Sequence, residues 1–138
     1  MKYLYHITDK DNMEQIKTLG LSPEFSQTGD GIYLSQDQCH AKAYEGHHGS
    51  WKSGTLLRVR TSKLNSQLLE SDDCDYPDIV GRDYDEKDWR DSLQKSGQCM
   101  YKGIVRPEDI EYLSGGGKWK KLISKRKKAS VLALSLFN

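Results

Sequence analysis

The chain has 138 residues and a net charge of +1, with 36% hydrophobic and 30% charged residues, enough for one domain with a modest core and too little for two. No apolar run approaches the ~20 residues that a membrane span needs, residues 1–6 lack a secretory pattern, and Cys39, Cys74 and Cys99 are widely spaced and odd in number. These features speak against a membrane protein and a disulfide framework, and they set the expectation of a cytoplasmic protein with free thiols. The charge is uneven: residues 118–128 hold seven of the 21 bases and no acid follows Glu111, leaving 14 bases against 20 acids elsewhere.

In chain order, Lys2-Tyr3-Leu4-Tyr5-His6 alternates and is aromatic, which predicts a strand with His6 at its end. Thr8 and Asp9 supply capping oxygens. A helix is expected over residues 12–19, with Met13 and Ile16 on one face and Gly20 as its C-cap. Gly29-Asp30-Gly31 suits a tight turn, and Ile32-Tyr33-Leu34 then reads as a short strand rich in β-branched and aromatic residues. Ser35 and Asp37 can cap a following helix that carries Ala41 and Tyr44 and ends near Glu45. The run Gly46-His47-His48-Gly49-Ser50 is a loop, and residues 55–61 form a strand.

Residues 70–91 hold ten acids against Arg82, Lys87 and Arg90, and Pro77 and Gly81 interrupt any regular pattern. A solvated surface loop is the expectation there. Residues 85–94 read as a short helix with Trp89 and Leu93 turned inward at i and i+4. A strand follows over residues 98–104, then a turn at Pro107-Glu108-Asp109 and a strand over residues 110–113. The fold class is α+β, with more short strands than helices.

Gly115-Gly116-Gly117 reads as a hinge that divides residues 1–114 from a basic and then apolar end, 115–138, packed on or extending the same domain. Lys118, Trp119, Lys120, Lys121, Lys125 and Arg126 could track a phosphate backbone with the indole stacked on a base, or could hold an acidic partner. A solvated lysine-rich face explains the run equally well. Cys39, His40, His47 and His48 match no paired zinc-ligand spacing, and the aspartates from Asp72 to Asp78 lack the spacing and glycine of a calcium loop, so no metal is expected. Neither Ser50 nor Cys39 has an evident base partner for nucleophilic chemistry.

Three segments in order resemble the diphtheria-toxin and PARP branch of the ADP-ribosyltransferases: Tyr5-His6-Ile7-Thr8 with Gly20-Leu21, then Gly29-Asp30-Gly31-Ile32-Tyr33-Leu34-Ser35 with Ala41 and Tyr44, then residues 98–113. The likeness spans roughly residues 3–113. It implies a split β-sandwich of short, mainly antiparallel strands with flanking helices. It also implies cleavage of the nicotinamide glycosidic bond of NAD+, which requires a bent dinucleotide, a held nicotinamide ring and stabilisation of an oxocarbenium-like ribose.

Carried over by position, the resemblance makes His6 a ribose ligand, Ile7 a backbone contact for the nicotinamide amide, and Tyr33 the ring that stacks on nicotinamide. Thr8 and Ser35 would add hydrogen bonds, and Tyr44 would close the pocket. The family's last-strand glutamate falls at Gln98, and no acid occurs between Asp91 and Glu108. An amide can hold a ribose hydroxyl, but it offers no charge to a cation. Three possibilities stay open: a transferase using another acid, a relative with different chemistry, or a binder. Relatives with RNA 2′-phosphotransferase chemistry use arginines, for which Arg58 and Arg60 are stand-ins out of order.

The expectation is a mono-ADP-ribosyltransferase that moves ADP-ribose from NAD+ to a macromolecular target, protein or nucleic acid, of a size that suits a bacterial or phage effector. A non-catalytic NAD- or nucleic-acid-binding module on the same fold is the alternative.

Overall fold

The computed structural model describes residues 2–26, 29–43 and 54–123. Within these residues seven strands form one antiparallel sheet: β1 (Tyr3–Asp9), β2 (Ile32–Ser35), β3 (Gly54–Arg60), β4 (Leu69–Ser71), β5 (Gln98–Tyr101), β6 (Ile110–Leu113) and β7 (Trp119–Lys121), in the spatial order β4-β5-β2-β1-β3-β6-β7. Among the described residues four short α-helices flank them: α1 (Met13–Leu19), α2 (Gln38–Ala43), α3 (Asp75–Val80) and α4 (Trp89–Ser96). The architecture is α+β, as expected, and it is compatible with a split β-sandwich.

Side chains alternate across the strands, so register assigns them to two faces. Leu4, Leu34, Leu57, Val59, Leu69, Cys99 and Ile110 share the main core face, where Ile16 of α1 and Trp89 and Leu93 of α4 pack. The opposite face carries a smaller apolar cluster in which Ala41 of α2 covers Ile7 and Leu56. The rest of that second face is polar and aromatic: Tyr5 pairs with Ser35, and Ser35 pairs with Gln98 on β5.

The split lies between β1 and β2. β1 and β3 run in register over seven residue pairs, yet β1 and β2 meet at one pair, Tyr5 with Ser35. Beyond it the strands diverge, and the His6 imidazole takes the Tyr33 carbonyl that a backbone N–H would otherwise bind.

α1 ends as its sequence predicts. Gly20 has φ +77°, and its N–H donates to Ile16 O at 2.8 Å. The same glycine lies against the 104–106 segment, through which Leu21 and Val105 exchange backbone hydrogen bonds. A Cβ at position 20 would stand 2.1 Å from Val105 O. Trp89 and Leu93 are both buried, as their spacing implied.

Three local expectations are corrected. The strand expected over residues 98–104 stops at Tyr101, since Lys102 N–H turns to bond Leu68 O. Pro77 and Gly81 belong to α3: Pro77 sits in its first turn, where a missing N–H costs nothing, and Gly81 (φ +101°) closes it. The three glycines from Gly115 to Gly117 are the turn of the β6–β7 hairpin, closed by Ser114 N–H on Lys118 O at 2.8 Å. They join two strands of one sheet and form no hinge. Among the described residues no helix is long and apolar enough to cross a membrane.

Candidate functional site

Tyr33, Ser35 and Gln98 come together on the polar face at the β2–β5 pairing. Ser35 and Gln98 are direct cross-strand partners and both are buried. Tyr33 lies two residues back along β2, half-buried, and its hydroxyl donates to Asp73 Oδ1 at 2.6 Å. Burial, and then the hydrogen bond and charge of Asp73, hold the Tyr33 phenol well above the ordinary tyrosine range. The ring is therefore a neutral aromatic surface with its donor already committed.

Gln98 is 2% exposed, and its Nε2 donates to Asp75 Oδ2 at 3.4 Å. Its Oε1 is buried with no hydrogen-bond partner. A buried acceptor left unpaired costs on the order of 1–3 kcal/mol, so this amide presents an unmet need for a donor.

The acidic stretch is the part of the site that the sequence concealed. In place of a solvated loop, Asp72 is fully buried and its carboxylate accepts the N–H groups of Cys74, Asp75 and Tyr76, which fixes the start of α3. Ser92 Oγ in turn donates to Gln98 O and accepts from Asp72 N–H, tying α4 to both. This scaffold sets the exposed Asp73 and Asp75 against Tyr33 and Gln98. An aspartate placed two to four residues ahead of a proline-containing turn was the available signal, since that spacing suits capping by the carboxylate.

His6 is placed differently. Register puts its side chain on the core face with Leu34 and Leu57, opposite Tyr33 and Gln98. It lines an apolar recess with Leu4, Leu21 and Val59 that has no room for a water molecule. His6 Nδ1 bonds Tyr33 O at 2.8 Å. A carbonyl can only accept, so Nδ1 carries the proton, and Nε2 is the acceptor nitrogen of the neutral ring. Burial is the larger influence and depresses the pKa; the bond to Tyr33 O opposes it.

Thr8, also buried, accepts from Asn12 Nδ2 at 3.3 Å, while the Ile7 side chain packs under α2. The structure thus unites Tyr33, Ser35 and Gln98 and leaves the His6 and Thr8 side chains on the other face. Tyr44 lies outside the described residues.

The basic segment divides as well. Lys118, Lys120 and Lys121 are exposed, but Lys120 and Lys121 are successive strand residues and project to opposite faces. Trp119 is not free to stack on a base. Its ring centroid lies 6.0 Å from that of Tyr5 and 4.3 Å from the Arg58 guanidinium, which also lies 4.0 Å from the Tyr3 ring. Arg58 Nε donates to Glu111 Oε1 at 3.1 Å, which pairs its charge within the sheet. Lys125 and Arg126 lie outside the described residues, as do His47, His48 and Ser50. Among the described residues no group of three or more His, Cys, Asp or Glu is arranged to hold a metal ion.

No protein-family model matches the chain, and no curated protein matches it. Among solved structures the chain is similar to one named EcPltA, at 14% identity and a TM-score of 0.44, over 86% of this chain and 81% of that one. A likeness that distant carries no argument about function.

Proposed function

We propose that the chain is a mono-ADP-ribosyltransferase that moves ADP-ribose from NAD+ to a macromolecular acceptor, protein or nucleic acid. The observation that carries this reading is the meeting of Tyr33, Ser35 and Gln98 on one face, from two of the three segments that resemble the family. NAD+ supplies a cationic nicotinamide that departs as a neutral molecule. The half-buried Tyr33 ring offers an aromatic surface for that heterocycle. Gln98, buried at the same face, ties it to α3 through its bond to Asp75. Ser35, its cross-strand partner, adds a hydroxyl beside it.

The arrangement does not use the His6 imidazole as the resemblance implies. In this reading His6 is a positioning residue that sets the Tyr33 backbone through its Nδ1–H. The test is mass spectrometry of nicotinamide released from NAD+ by the purified protein, alone and with cell lysate. Release that drops at least about 100-fold in Tyr33→Ala is the expected result. No release from the folded wild-type protein under either condition would remove the reading.

A second reading is favoured by one specific observation, the amide at position 98 where a carboxylate is wanted. It is a non-catalytic nucleotide-binding module, and it predicts NAD+ binding without turnover.

A further inference from the structure

We infer that the sheet face around Tyr3 is a docking surface for single-stranded nucleic acid. Register places Tyr3, Tyr5, Arg58, Arg60, Glu111 and Lys121 on one face, since Tyr3 pairs with Arg60, Tyr5 with Arg58, Arg58 with Glu111 and Glu111 with Lys121. The half-buried Tyr3 ring gathers three cations. The Arg58 and Arg60 guanidinium carbons lie 4.0 and 5.2 Å from its centroid, and Lys2 Nζ lies 5.6 Å away.

Cations crowded on one ring repel one another, and the ring's quadrupole offsets only part of that repulsion. Among the described residues this strip holds one acid, Glu111, and its partner is Arg58. The acids of the adjoining turn, Glu108 and Asp109, are paired with Arg106 at 3.5 and 3.1 Å. Lys2, Arg60 and Lys121 are exposed, and among the described residues none of them has a carboxylate within ion-pair distance. Four cations thus face one carboxylate, and a polyanion supplies the missing counter-charge.

Charge alone suits an acidic peptide as well as a phosphate backbone. The rings favour the nucleic acid. Tyr3 and Tyr5 are half-buried between the cations, and Trp119 braces Tyr5 with ring centroids 6.0 Å apart. A phosphodiester strand alternates anions with flat bases, and guanidinium planes and aromatic rings engage both, whereas an acidic peptide engages the cations alone. The strand is single because bases within a duplex are stacked on one another and closed to the rings. Tyr5 also pairs with Ser35 on β2, so the strip runs onto the face that holds Tyr33 and Gln98. Under the transferase reading, on which this clause alone rests, the strand is the acceptor.

The experiment is fluorescence anisotropy of labelled mixed-sequence oligonucleotides of about 12 nucleotides, as single-stranded DNA, single-stranded RNA and duplex DNA, from about 50 to 200 mM salt without NAD+. Wild type is compared with Arg60→Ala combined with Lys121→Ala, and with Lys10→Ala combined with Arg82→Ala, which removes the same charge from exposed positions elsewhere. The expected result is single-strand binding that weakens at least about tenfold in the Arg60 and Lys121 variant, with the log–log salt slope reduced by about 1.4, and less than about threefold in the control. DNA and RNA arms tell which sugar is preferred, and either one supports the surface. Circular dichroism checks that both variants are folded. No binding of either single strand overturns the inference, as does binding that the Arg60 and Lys121 variant keeps within about threefold. Duplex bound as tightly as the single strand, or poly-glutamate competing as well as unlabelled strand, also overturns it. None of these outcomes touches NAD+ cleavage, and a protein that binds the strand but releases no nicotinamide keeps the surface while losing the transferase reading.

Discussion

Two side chains with displaced titrations give the site its most direct tests at the level of single residues. Burial holds the His6 pKa below the ordinary value of 6.5, so between the folded and unfolded values the unfolded chain carries the extra proton. Stability therefore rises with pH through that window, is complete above 6.5, and is lost as the pH falls towards the folded value. An NMR titration of the His6 ring is expected to give a midpoint below 6.5. His6→Gln keeps a side-chain N–H for the Tyr33 carbonyl and is expected to flatten the dependence of the urea midpoint between about pH 5 and 7.5. The Tyr33 phenol should titrate after most other tyrosines in an ultraviolet titration, its burial and the Asp73 carboxylate both opposing ionisation. Tyr33→Phe should remove that late component.

Gly20 is the residue at which the backbone leaves no freedom. Both its positive φ and the 2.1 Å approach of a Cβ to Val105 O oppose any side chain, so Gly20→Ala is expected to lower stability by about 1–3 kcal/mol in urea denaturation. Gly115→Ala, with nothing within 4 Å of its Cβ, is the matched control and should change it by under about 0.5 kcal/mol.

Among the elements, α3 depends most on one side chain. Three N–H groups converge on Asp72, and Asp72→Ala strands them all, so a loss of about 2 kcal/mol in urea denaturation is expected. Because α3 also carries Asp75, and Asp73 lies just ahead of it, the same variant should displace Tyr33 and Gln98 from their carboxylate partners. α1 and α4 were legible in the sequence because each has a local signature: Gly20 after a helical run, and Trp89 and Leu93 one turn apart. β4 and α3 were not legible. β4 is three residues long, too short for alternation to register, and the acids of α3 look solvated until the fold turns Asp72 inward. Charge counted along the chain carries no information about which carboxylate finds N–H partners in space.

For the whole molecule, the two faces of the sheet explain why the candidate site was only partly legible. Tyr33, Ser35 and Gln98 could be named from two of the three ordered motifs, but their common face depends on the β2–β5 register. The placement of His6 on the other face follows from its being one residue away from Tyr5, the residue that pairs with Ser35; a period of two decides it. At the start of the basic end, Trp119 is held by the sheet. Its indole closes the Tyr3, Tyr5 and Arg58 cluster at the β7 edge, and Trp119→Ala is expected to cost about 1–2 kcal/mol of stability in urea denaturation.

The single register pair between β1 and β2 makes the sheet two panels, β4-β5-β2 and β1-β3-β6-β7, joined along a seam. Few backbone bonds have to break for one panel to open against the other, so the amides flanking Tyr5 and Ser35 belong to a low-energy unit of local unfolding. Native-state hydrogen exchange should show them trading protons sooner than those of the long β1–β3 ladder. The imidazole of His6 then acts as a stitch across the seam, and weakening it should loosen one panel against the other before either panel melts.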